Sequence, residues 1–147
     1  MVKKFIFCNL ILIFSSYALF AQETNADKVK WTLYKELNGV QISYKYVECN
    51  DIHNGIFKEM LYFQLINTTD ISMNISFNEE IWYNNKCVSC GKNSPEYHKE
   101  FVLEPGGELG PDCDSGNNLK IFSKFLNNTK ASELTKFELN NLTINPM

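Results

Sequence analysis

Cysteine is the residue of this chain whose spacing could most readily carry chemistry. Cys87 and Cys90 form a CxxC motif, the spacing found in thiol oxidoreductases and in one half of a zinc ribbon. A redox motif needs a helix N-terminus to lower the pKa of its first thiol, whereas this one lies between predicted strands, next to Gly91. We therefore expect a structural role for the motif.

The cysteines allow a metal site as an alternative. Zinc would recruit Cys87, Cys90 and Cys113, with either Cys49 or His98 as the fourth ligand. The second half of the ribbon pattern is missing, and thiolates in an oxidising compartment pair with one another first. We predict two disulfides among these four cysteines, with no metal and no cofactor. A metal or thiol site at Cys87, Cys90, Cys113 and His98 remains the alternative hypothesis.

No other constellation predicts catalysis. The two histidines, His53 and His98, have no nucleophile at a recognisable motif spacing. The adjacent acids Glu79 and Glu80 are predicted to point to opposite faces of a strand, so they would not share acid and base work. We expect that the protein is not an enzyme.

The first 21 residues have the pattern of a secretory signal peptide. Lys3 and Lys4 precede an apolar run from Phe5 to Phe14, and small residues lead to a cleavage site after Ala21. A polar segment follows at 22–30, and no later stretch is long enough to span a bilayer. The prediction is therefore a secreted or periplasmic protein with no membrane span after cleavage.

The charge composition argues against one class of partner. All 14 basic residues are lysine, and 17 acids give a formal net charge of −3. An acidic surface without arginine repels phosphate backbones and lacks the side chain most used to read guanine. We therefore exclude nucleic acid as a partner.

Beyond residue 30 the dominant hydrophobic period is two, as in strands with one buried face. The clearest run places Ile71, Met73, Ile75 and Phe77 on one face. Turn residues such as Asn38-Gly39 separate the runs. Strands are predicted at 31–37, 40–48, 56–66, 71–83, 97–104, 119–126 and 134–144. The 71–83 strand is expected to bend at Glu79-Glu80, where the alternation loses phase.

The disulfide pairing depends on that bend. If 71–83 is one strand, the loops carrying Cys49, Cys87 and Cys90 share one end of the sandwich, which favours Cys49 with Cys87 or Cys90. If it breaks into two antiparallel strands, Cys49–Cys113 and Cys87–Cys90 become the natural pairs. The sequence leaves both connectivities open.

Three segments carry a resemblance to a known class of protein. They are the strand Glu59–Asp70, whose end reads Asn-Thr-Thr, the alternating run Ile71–Phe77, and the corner Phe101–Glu108 with its Leu-Glu-Pro-Gly-Gly-Glu. Together they resemble the immunoglobulin-like sandwich modules of small exported bacterial proteins. The resemblance and the strand pattern predict an all-β fold over 31–147, a single immunoglobulin-like antiparallel β-sandwich of about seven strands.

The functional expectation is a non-catalytic binding or structural module. Aromatic residues on the predicted strands could form an exposed platform for a protein or glycan partner. The candidates are Trp82, Tyr83, Tyr46 and Tyr62.

Overall fold

The computed structural model describes residues 30–92, 94–114, 116, 118–128 and 130–147. The predicted signal peptide at 1–21 and the polar segment up to residue 29 lie outside the described residues. The described part contains no helix, and so none that could cross a membrane.

Alternating apolar residues produce nine strands in the described residues. They are β1 (Thr32–Leu37), β2 (Val40–Asp51), β3 (Ile56–Asn67), β4 (Met73–Tyr83), β5 (Lys86–Cys87), β6 (His98–Leu103), β7 (Glu108–Leu109), β8 (Lys120–Phe125) and β9 (Leu134–Pro146). The seven predicted strands are all present, and the two additional strands have two residues each. The all-β prediction is confirmed.

The strands form two antiparallel sheets. Sheet A has the order β1-β2-β3, and β7 and β8 share the far side of β3. Sheet B is built around β4, with β9 along one side and both β6 and β5 along the other. The core lies between the sheets, where the alternating residues of β3 and β4 meet. Its largest fully buried side chains include Leu61, Phe63, Ile75 and Phe77.

The expected bend at Glu79-Glu80 is wrong. Strand β4 is continuous, and its register shifts fall between Ser76 and Asn78 and between Trp82 and Tyr83. Alternation is kept through Glu79, which takes an inward position and is 4% exposed. In the sequence, a charged residue at an inward position interrupts the alternation of apolar and polar residues. In the structure, the alternation of inward and outward positions along β4 continues through it.

The two edges of the sandwich differ. At the edge formed by β1 and β9, the Tyr34 hydroxyl accepts a hydrogen bond from the Leu139 amide at 3.1 Å, and Asn38 Nδ2 donates to the Ile144 carbonyl at 2.7 Å. We call this the closed edge. At the other edge, β8 of sheet A faces β5 and β6 of sheet B, and an opening lies between the sheets. We call this the open edge.

Candidate functional site

The opening between the sheets is a cleft of about 250 Å³ at the open edge. We call it the edge cleft. It is lined by Glu79, Ile81, Tyr83, Val88, Glu96, Tyr97, Lys99, Lys120, Ile121 and Phe122. The inward positions of β4 supply its floor, and the start of β8 supplies the opposite wall.

The cleft exists because β4 has a gap between its two short neighbours. Strand β6 pairs with β4 only from Met73 to Asn78, and β5 pairs only with Trp82 and Tyr83. In the gap, the Glu79 amide donates to the Tyr97 carbonyl at 2.8 Å and the Ile81 amide donates to Ser89 Oγ at 2.8 Å. The backbone is therefore satisfied without a continuous strand, which leaves space over the side chains.

Glu79 is the buried charged group of the cleft. Its Oε2 lies 3.5 Å from Lys99 Nζ, and its Oε1 is buried with no hydrogen-bond partner in the described residues. Burial raises the pKa of Glu79 to about 7, although the nearby Lys99 ammonium acts in the opposite direction. Glu79 is thus a carboxyl group near its titration point at neutral pH, with one acceptor oxygen uncommitted.

Two other polar side chains of the cleft are already bonded. Lys99 Nζ donates to the Glu96 carbonyl at 2.6 Å, and the Tyr83 hydroxyl donates to the Phe122 carbonyl at 2.7 Å. Burial raises the pKa of Tyr83 to about 12, and Glu79 and Tyr97 add to that shift. Tyr83 therefore acts as a neutral bridge from β4 to β8 that closes one end of the cleft.

The disulfides pair Cys49 with Cys113 and Cys87 with Cys90. The pairing of Cys49 with Cys87 or Cys90, expected if 71–83 is one strand, is therefore wrong. That pairing requires the segment carrying Cys113 to stay at the end of the sandwich where it begins. Instead, β7 and β8 lie end to end along β3, and the segment between them crosses the outer face of β3 to reach β2.

That crossing covers one of the predicted aromatic residues. Tyr62 is 3% exposed, and its hydroxyl lies 2.8 Å from Cys49 Sγ. Burial raises the pKa of Tyr62, and the negative charges of Asp112 and Asp114 raise it further. It is a support for the disulfide and offers no exposed ring.

The four predicted binding aromatics do not share one surface. Trp82 is on the outer face of sheet B with Lys136 Nζ 4.3 Å from its ring centre. Tyr46 is on the inner side of sheet A, edge-on to Tyr44, and Tyr83 lies in the edge cleft. These four residues therefore form no common binding platform, and of the four only Tyr83 lines the edge cleft.

The alternative metal ligands are also separated. The pairing assigns Cys113 to β2 and joins Cys87 to Cys90, while His98 Nδ1 lies 2.9 Å from Asn78 Oδ1. Across the described ranges, no group of three or more His, Cys, Asp or Glu side chains is placed to hold a metal ion.

Sequence reasoning missed the Glu79–Lys99 pair. Both residues hold inward positions of alternating strands, Glu79 after Ile75 and Phe77, and Lys99 before Phe101. The sequence places one negative and one positive residue each on an otherwise apolar strand face, and this pattern could have predicted a buried ion pair.

Comparison with known proteins adds no relationship. No protein-family model, curated protein or solved structure matches this chain.

Proposed function

We propose that this protein is an exported, non-catalytic, immunoglobulin-like β-sandwich that binds its ligand in the edge cleft. The observation that carries the proposal is the uncommitted Oε1 of Glu79 at the floor of an opening between two otherwise closely packed sheets. A buried polar group without a partner is costly, and ligand sites are where such groups commonly occur.

Export is supported by two independent features. The 1–21 segment has the three parts of a secretory signal peptide, and two disulfides are at home in an oxidising compartment. We therefore place the mature protein outside the cytoplasm, in the periplasm or secreted.

Binding fits the cleft better than catalysis does. A nucleophile with a base in hydrogen-bond reach is the usual minimum for covalent chemistry. The hydroxyl of Tyr83 is donated to a backbone carbonyl, and Ser89 Oγ accepts from the Ile81 amide. Glu79 is left as an acceptor, which suits recognition.

The thiol or metal alternative has a direct test. It requires free thiolates, whereas the proposed module has none after export. Alkylation of the unreduced exported protein, followed by intact mass, should label none of Cys49, Cys87, Cys90 and Cys113. Labelling of one or more cysteines, or a stoichiometric metal, would favour the alternative.

Chemical-shift mapping of the exported protein tests the binding site itself. The probes are a small ammonium salt, acetate, glucose and acetamide, titrated separately into the ¹⁵N-labelled protein. At least one should produce saturable shifts in the amides of Glu79, Val88 and Ile121. The amides of Leu139 and Ile144 at the closed edge are the internal reference. Saturable shifts confined to other surfaces, or none with any probe, would contradict the proposal.

A further inference from the structure

At the floor of the edge cleft, Glu79 has a carboxylate oxygen without a hydrogen-bond donor in the part of the chain that the structure describes. Glu79 is 4% exposed, and its Oε2 lies 3.5 Å from Lys99 Nζ. That ammonium is shared with the Glu96 carbonyl at 2.6 Å. Oε1 is buried and has no hydrogen-bond partner in the described residues, and a buried carboxylate is most strongly stabilised by a charged donor.

The walls of the cleft favour a ligand that has a hydrocarbon part and a positive charge. They present the rings of Tyr83, Tyr97 and Phe122 beside the aliphatic side chains of Ile81, Val88 and Ile121. Because the Tyr83 hydroxyl is donated to the Phe122 carbonyl, this residue offers mainly its ring. Aromatic faces carry negative potential and attract organic cations.

Other ligand classes fit the cleft less well. An anion would approach the carboxylates of Glu79 and Glu96. A divalent metal ion needs several oxygen or nitrogen ligands, and the described residues contain no group of three or more His, Cys, Asp or Glu side chains placed to hold one. A sugar needs many directional donors and acceptors, and two of the polar groups of the cleft, the hydroxyl of Tyr83 and the ammonium of Lys99, are already bonded.

We propose that the edge cleft binds a small organic ammonium ion. Its N–H group donates to Glu79 Oε1, and its carbon skeleton packs on the rings of Tyr83, Tyr97 and Phe122. Because Lys99 contacts Oε2, the Glu79 carboxylate lies between two cations, the Lys99 ammonium and the ligand. The negative charge of Glu96 at the rim of the cleft reduces the repulsion between these two cations. This assignment rests on the proposed function, because it names the ligand class of the same site.

The probe is n-propylammonium, with 1-propanol as its neutral counterpart and propionate as the anionic one. Each is titrated into the ¹⁵N-labelled exported protein at pH 7.5. Propylammonium should give saturable shifts at Glu79, Val88 and Ile121, and 1-propanol should bind at least about tenfold more weakly because it lacks the charge-assisted hydrogen bond.

Two substitutions separate the carboxylate from its surroundings. Glu79→Gln should weaken propylammonium binding about tenfold, since the charge-assisted bond is lost. Glu80→Gln is the matched control, because its side chain lies on the opposite face of β4, and it should leave binding within about twofold. If Glu79→Gln does not fold, Tyr97→Leu removes an aromatic wall and should also weaken binding.

The pH dependence supplies a further check. Binding requires the ionised form of Glu79, so affinity should rise from pH 6 to pH 8. The charged and titratable groups facing it are Lys99, Glu96, Tyr83, Tyr97 and Lys120, and the rise should disappear in Glu79→Gln.

The outcomes distinguish the ligand class from the site. If 1-propanol or propionate saturates the cleft and propylammonium does not, the ammonium assignment is wrong while the edge cleft stays the binding site. If Glu80→Gln weakens binding as much as Glu79→Gln, the assigned acceptor is wrong. If neither these probes nor acetate, glucose and acetamide shift the cleft amides, both proposals fail.

Discussion

The closed edge and the open edge of this sandwich are built by different means. At the closed edge, two side chains of the first hairpin bond the backbone of β9, and Phe137 packs against Tyr34, Tyr44 and Phe63 with ring centres 5.2–5.6 Å apart. At the open edge, one hydroxyl from Tyr83 crosses between the sheets, and a charged pair lies beneath it.

The disulfides follow the same division. Cys49–Cys113 ties down the segment that leaves the open edge of sheet A, and Cys87–Cys90 ties down the segment that leaves the open edge of sheet B. The closed edge, in the residues described, is held by hydrogen bonds and aromatic packing. The edge that contains the cleft therefore has both disulfides on the segments that leave it, and each difference between the edges can be tested by substitution.

The largest expected effect comes from the Cys49–Cys113 disulfide. It links residues 64 apart. Chain entropy in the unfolded state then assigns it about 4 kcal/mol of stability. Replacing both residues by alanine should lower the free energy of unfolding by that amount in a urea titration without reductant. A loss no larger than that of the Cys87–Cys90 variant would contradict this account.

Glu79 should make stability depend on pH. The folded protein holds the Glu79 proton up to a pKa of about 7, whereas the ordinary value is 4.5. The folded state therefore binds more protons between those values, and stability falls as pH rises through this window. The gap corresponds to about 3 kcal/mol lost by pH 8, measured by urea unfolding across the range.

The control for this pH effect is Glu79→Gln. The variant carries no titrating carboxyl group at this position. Its free energy of unfolding should therefore fall less between pH 5 and pH 8, by the amount that Glu79 contributes in the natural protein. Identical pH profiles for the two proteins would show that Glu79 is solvated.

Loss of the Cys87–Cys90 disulfide should act locally. Its residues are only 3 apart, so loop entropy gives it about 1.5 kcal/mol. The double alanine variant should unfold slightly more easily. It should also exchange the Val88 amide faster, since that amide donates to the Ile81 carbonyl across the cleft wall at 2.9 Å. Unchanged exchange at Val88 would show that the disulfide does not shape the cleft.

The smallest effect is expected at the closed edge. Tyr34→Phe removes the acceptor of the Leu139 amide and should cost about 1 kcal/mol in thermal or urea unfolding. Tyr46→Phe, at a residue 38% exposed on the same inner side of sheet A, is the matched control and should cost less. Equal costs would mean that the Tyr34 bond contributes little to closing this edge.

Most of the fold was predictable because one physical rule governs it. Residues such as Ile75 and Phe77 alternate with polar ones, so the strand, its buried face and its length can be read directly. The turn at Asn38-Gly39 was also predictable, and both residues have the positive φ that such a hairpin needs.

The site was less predictable because it depends on tertiary placement. Nothing local shows that the segment after β7 crosses over Tyr62 to reach Cys49. Nor does local sequence show that Lys99 lies beside Glu79, since the two are brought together only by the pairing of β6 with β4. A charge on an apolar stripe was read as a bend, where it marked a buried pair.

A ¹³C NMR titration of the Glu79 carboxyl group in the exported protein measures directly whether the cleft holds a buried, ionisable acceptor for an ammonium ion. We expect a midpoint near 7 in the free protein. Saturating n-propylammonium should lower that midpoint, because the ligand stabilises the ionised form, while 1-propanol should leave it unchanged. A midpoint near the ordinary 4.5 in the free protein, or one that n-propylammonium does not move, would show that Glu79 is not the buried acceptor of the edge cleft.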